Sequence, residues 1–135
     1  MTEIDRFFEE WRSHRLPKEK WTHAAHVSMC AYVAFDRTFE ETLDFMREGI
    51  WNYNAAVGGK NTESSGYHET LTHLWVRVIR DYLSACAPTT REEAVRLAVE
   101  KFGENRKLHE RYYSFDIVND QQARREWIPP DRLAI

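Results

Sequence analysis

Apolar residues recur along this chain at spacings of three and four, the repeat of a helix that buries one face, and no stretch shows the two-residue alternation of a strand. Ile4, Phe7, Phe8 and Trp11 mark a first helix that Thr2 caps and that runs to about Arg15. Leu16-Pro17 breaks it, and a second helix is predicted from Trp21 to Phe35. The third is set by the Thr38-x-x-Glu41 capping box and carries Phe39, Leu43, Met46, Ile50, Tyr53 and Val57 on one face until Gly58-Gly59 stops it. A polar loop then feeds the most strongly patterned helix, whose buried stripe is Leu71, Leu74, Trp75, Val78, Ile79, Tyr82 and Leu83, ending near Ala87-Pro88. Thr89 and Thr90, with acids three residues on, open a fifth helix to Phe102. Short helices are expected over Arg106–Tyr113 and Asp120–Trp127, with an extended tail from Ile128. The expected fold is all-α: one compact bundle of five to seven helices with a four-helix core, spanning residues 1–135.

The helical faces carry the candidate chemistry. At about 100° per residue, His23 and His26 fall on the side of the second helix that holds Val27 and Cys30, facing the core. His68, read as a first-turn residue of the fourth helix, also looks inward, whereas Glu69 and His73 fall near the opposite side. Three imidazoles from two packed helices would suit a divalent metal such as Zn, Ni or Fe, with an open position for water and a carboxylate to move its proton. The expected ligand set is therefore His23, His26 and His68, with Glu69 as fourth ligand or general base. The run His68-Glu69-x-x-x-His73 is not the H-E-x-x-H of zinc proteases, because one extra residue turns the second His away. Tyr53, Asn54, Asn61 and Arg47 are candidates for holding a substrate, Arg47 by pairing with an anion. Cys30 reads as a small apolar residue, and the tryptophans as core.

Composition narrows the partners. A net charge of −3 without any long basic run argues against nucleic acid and anionic membranes, leaving a small molecule as the expected ligand. Two cysteines imply no disulfide framework, and with no leader-like or long apolar stretch the expectation is a cytoplasmic protein. No P-loop, G-x-S-x-G or dinucleotide fingerprint occurs. The chemistry left open is hydrolysis, isomerisation or group transfer at the metal. The alternative is a non-catalytic protein in which His, Asn54 and Tyr53 form a buried polar network around a small ligand or specify the fold. A third reading is assembly, as a homodimer or with another helical protein, through exposed aromatics such as Trp51.

Trp21-x-His23-x-x-His26, Tyr53-Asn54, Asn61-Thr62, Gly66-Tyr67-His68-Glu69-Thr70, Ala123-Arg124-x-x-Trp127 and Pro130-Asp131 follow one another across nearly the whole chain. In this order they resemble the motifs of a family of small bacterial proteins. The resemblance implies that His23, His26, His68 and Glu69, with Tyr53 and Asn54, belong to its motif and that His73 does not; it implies no substrate. A more distant likeness is to DinB-like metal-binding helical bundles, whose motif order differs, so it serves as analogy alone.

Overall fold

The computed structural model describes all 135 residues and is entirely helical, with six α-helices, two short 3-10 turns and no strand. These are α1 (Glu3–Arg12), α2 (His23–Ala34), α3 (Phe39–Ala56), α4 (Glu69–Cys86), α5 (Arg91–Phe102) and α6 (Gln121–Arg125). Local chemistry sets most boundaries. Thr2 and Asp5 form a reciprocal capping box at α1, Thr38 and Glu41 another at α3, and Thr22 and Thr90 accept the Ala25 and Glu93 amides at α2 and α5. Each spends a side-chain oxygen on an amide that would otherwise lack a partner.

The helix enclosed on most sides is α2, not the strongly striped α4. Packed most extensively against α5 and then against α4 and α3, it buries residues around its whole circumference, from Ala25 and Val27 to Met29, Ala31 and Val33. A helix apolar all round belongs in the middle of a core, whereas α4 keeps one wet face. The main apolar cluster joins α2 to Trp11, Leu16, Tyr53 and the inner faces of α3, α4 and α5. Trp11 sits so close to α3 that a Cβ at Gly49 would lie 2.6 Å from its ring, so only glycine fits there.

Several predicted boundaries differ. α1 stops at Arg12, where His14 takes a left-handed turn (φ 64°) that drives Leu16 into the core. The predicted helix over Arg106–Tyr113 is a single 3-10 turn at Leu108–Arg111, anchored by the buried Leu108. Only Gln121–Arg125 of the last predicted helix is helical. Beyond it the tail folds back on α4: Thr70 Oγ1 donates to the Glu126 carbonyl (2.8 Å) and accepts from the Ile128 amide (3.1 Å). Leu74, Tyr113, Ile117 and Ala123 form a second, smaller core beneath this return. No helix is long and apolar enough to cross a membrane.

Candidate functional site

A cavity of about 610 Å³ opens between the N-terminal end of α2, the C-terminal half of α3 and the first three turns of α4. Its floor is apolar, built by residues such as Val27, Met46, Ile50, Val76 and Ile79, with Trp21 and Trp75 as aromatic walls. Among its 20 lining residues none is Asp or Glu, and the single charged side chain is Arg106, exposed at the rim. The volume is that of a site for a small organic molecule.

Two of the predicted histidines face this cavity in defined tautomers. The Nδ1–H of His26 donates to the Thr22 carbonyl at 2.8 Å, one helical turn back. A carbonyl only accepts, so Nδ1 carries the proton and Nε2 offers a lone pair, for which the protein supplies no donor. Its ring rests on Trp21 with centroids 4.0 Å apart. Burial pushes the His26 pKa down to about 4, so the ring is neutral at pH 7. His23 uses Nε2–H to reach the Phe102 carbonyl at 3.0 Å, tying the start of α2 to the end of α5 and leaving Nδ1 as the acceptor. Burial also lowers its pKa, and the nearby Arg106 adds to the effect.

His68 has a different task. It is the N-cap of α4 rather than a member of its first turn, with extended backbone at φ −131° and ψ 109°. Nδ1 accepts the Leu71 amide at 3.1 Å while Nε2–H donates to the Ile117 carbonyl at 2.7 Å. Both ring nitrogens are occupied, so His68 contributes an edge to the cavity wall but no free lone pair. It is a capping and cross-linking residue.

Glu69 points out of this arrangement, as its helical phase implied. Arg47 grips it in a bidentate pair, Nε to Oε1 at 2.9 Å and Nη2 to Oε2 at 2.6 Å, and the Tyr67 hydroxyl donates to Oε1 at 2.7 Å. Burial raises the Glu69 pKa, but the Arg47 and Tyr67 hydrogen bonds outweigh it and hold the carboxylate below its ordinary range. No three His, Cys, Asp or Glu side chains come together closely enough to hold a metal ion. The expected set of His23, His26, His68 and Glu69 thus fails to converge: two imidazoles share the cavity, the third is saturated by backbone, and the carboxylate is committed to Arg47.

The predicted substrate-holding residues divide in the same way. Asn54 lines the cavity, its Nδ2 donating to Asn61 Oδ1 at 3.3 Å and its own Oδ1 left as an acceptor. Asn61 is a loop organiser, since its Oδ1 also takes the Tyr67 amide (3.0 Å) and its Nδ2 donates to the Trp51 carbonyl (3.0 Å). Tyr53 is wholly buried and donates to the Leu16 carbonyl at 2.7 Å, and Arg47 spends its charge on Glu69 and Asp44. Gly66, at φ 81° and with the Lys60 carbonyl 2.5 Å from where a Cβ would stand, lets the loop turn sharply into His68. Arg124 fixes that turn by donating to the Gly66 carbonyl (2.8 Å) and to the Val118 carbonyl (3.1 Å), joining two segments of the cavity wall. His73 stacks on Trp127 at 3.6 Å, away from the cavity.

Arg106 and His109 complete the cavity and were not anticipated. They come from a polar stretch whose periodicity says nothing; the one signal was Leu108 between them, an isolated apolar residue that had to be anchored somewhere. Comparison with protein-family models, with curated proteins and with solved structures finds no match.

Proposed function

We propose that the protein binds a small organic molecule in the cavity between α2, α3 and α4, with His26 as its principal polar anchor. The observation that carries this reading is His26 Nε2: an imidazole locked in one tautomer by Thr22, held neutral, and left without a protein partner at the edge of a cavity with an apolar floor. Such a ring is a fixed hydrogen-bond acceptor. A pKa of about 4 makes it a weak proton acceptor at neutral pH, so binding is favoured over general-base catalysis, which works best with a pKa near the working pH. The metal-dependent enzyme reading keeps His23 and His26 as ligands and would draw every other ligand from outside the chain.

Saturation-transfer NMR with a mixture of uncharged and charged aromatic fragments tests the binding reading. Several fragments are expected to bind, and Val118→Trp, which places a large ring in the partly buried cavity wall, is expected to abolish their signals while circular dichroism stays native. Fragments that bind the blocked variant equally well, or a mixture from which nothing binds, would refute it. Elemental analysis of protein purified without chelators belongs beside it. Metal near one equivalent per chain, lost in His26→Ala, would restore the metal-dependent reading.

A further inference from the structure

Three acceptors among the lining residues receive no protein donor, namely His26 Nε2, His23 Nδ1 and Asn54 Oδ1, while His26 Nδ1, His23 Nε2 and Asn54 Nδ2 donate to the Thr22 carbonyl, the Phe102 carbonyl and Asn61. Among the lining donors, the Tyr67 hydroxyl goes to Glu69 and the Thr72 hydroxyl to the His68 carbonyl, while the Trp21 indole N–H is buried without a partner. A molecule that brings its own donor satisfies these acceptors, whereas one without a donor leaves them unpaired.

The charge of the ligand follows from the rim. With no carboxylate in the lining and Arg106 exposed at the opening, an organic cation would meet repulsion without compensation, whereas an anionic end would find a guanidinium. Arg106 is near enough to His23 for its charge to be felt there. Between rim and floor the wall is apolar and includes Trp75, while Trp21 is packed between Trp11 and His26, so the body of the ligand meets apolar and aromatic surface.

We infer that the cavity takes a small anion with an apolar or aromatic body that also carries a hydroxyl or N–H donor, the donor end received by His26 and His23 and the anionic end by Arg106. This rests on the cavity being a binding site, as proposed above. The hydroxy-aromatic carboxylates are the simplest members of the class.

Calorimetric titration of the native chain with para-hydroxybenzoate, para-methoxybenzoate and tyramine tests it. Capping the hydroxyl removes the donor and leaves acceptor facing acceptor, so para-methoxybenzoate is expected to bind about tenfold more weakly, the equivalent of one well-made hydrogen bond. Tyramine, which keeps the donor and reverses the charge, is expected to lose at least as much. Arg106→Gln, at an exposed position, should weaken para-hydroxybenzoate and leave tyramine unchanged or tighter. Long-range proton–nitrogen NMR should show the His26 Nε2 signal move on addition of para-hydroxybenzoate with the ring still neutral. Equal affinity for the hydroxy and methoxy compounds, or preference for tyramine, overturns the assignment of ligand class while cavity binding stands. Failure of all three compounds, in a protein whose cavity still binds other fragments, overturns it too. Binding that survives unchanged in Val118→Trp sinks the cavity reading itself.

Discussion

His68→Ala is expected to destabilise the fold by about 3 kcal/mol, by loss of a helix cap at about 1 kcal/mol and of a buried cross-link at about 2 kcal/mol. The Leu71 amide loses its acceptor at the start of α4, in a partly buried position beside the cavity. The Ile117 carbonyl keeps only the Asp120 amide at 3.2 Å in place of the shorter bond from His68, and the wall between α4 and the 114–119 segment gains a void. His68→Asn separates the two contributions. Asparagine is among the best N-caps and restores the acceptor for Leu71 without reaching Ile117, so it should recover about 1 kcal/mol of the loss. Urea unfolding of the three proteins gives the comparison directly. A wild-type-like midpoint for His68→Ala would show that these bonds are not held in solution, and would return His68 to the list of residues free for chemistry.

Acidification is expected to weaken the fold well before the carboxylates titrate. His26 has an ordinary pKa of 6.5 when unfolded and about 4 when folded, so between those values the unfolded chain binds more protons and stability falls as pH falls. A gap of that size corresponds to at most ~3 kcal/mol, and because the ring edge opens onto a cavity that admits water, a loss of about 2 kcal/mol is the expectation. His23, His68 and His73 are shifted in the same direction, each chiefly by burial, and add to the slope. Further loss below this window belongs to acids held down by partners, such as Asp5, lowered to about 2 by the Tyr32 hydroxyl and the α1 cap, and Glu69. In His26→Asn the side-chain amide can still donate to the Thr22 carbonyl but cannot titrate, and the slope between about pH 6.5 and about pH 4 should flatten measurably. Identical pH profiles for the two proteins would remove His26 as the source.

How far the chain could be read without coordinates depended on the distance over which each feature is decided. The caps at Thr2 and Thr38 are local, and α1 and α3 begin where the pattern put them, while the stripe on α4 placed the start of that helix to within a residue. The inward direction of His23 and His26 was legible for the same reason, because residues three apart on one helix share a face. His68 was misjudged by a single residue of boundary. As a first-turn residue it would have projected between helices, but as the N-cap it folds back onto Leu71, a use that a histidine standing in place of the usual Ser, Thr, Asp or Asn does not announce. Asn61, Tyr53 and Arg47 looked like ligand holders because polar side chains near a predicted site attract that reading. Their partners, the Trp51 and Leu16 carbonyls and Glu69, lie across turns that only the folded chain closes. Arg106 and His109 reach the cavity through the anchoring of Leu108, a tertiary event with no periodic trace.

The all-round burial of α2 has a cost during synthesis. Between Ala24 and Phe35 the chain carries no charged residue, and in the finished bundle that run is covered largely by α4 and α5, which lie after it in sequence. While the ribosome is still making them, a sticky, uncharged segment waits with only α1 and α3 for company, and such stretches pair with copies of themselves. Chains ending just after α3 should therefore sediment as aggregates, whereas chains carried through Phe102 should remain dispersed; pelleting of the two truncations would decide it. Survival of the nascent chain thus depends on how soon its second half arrives.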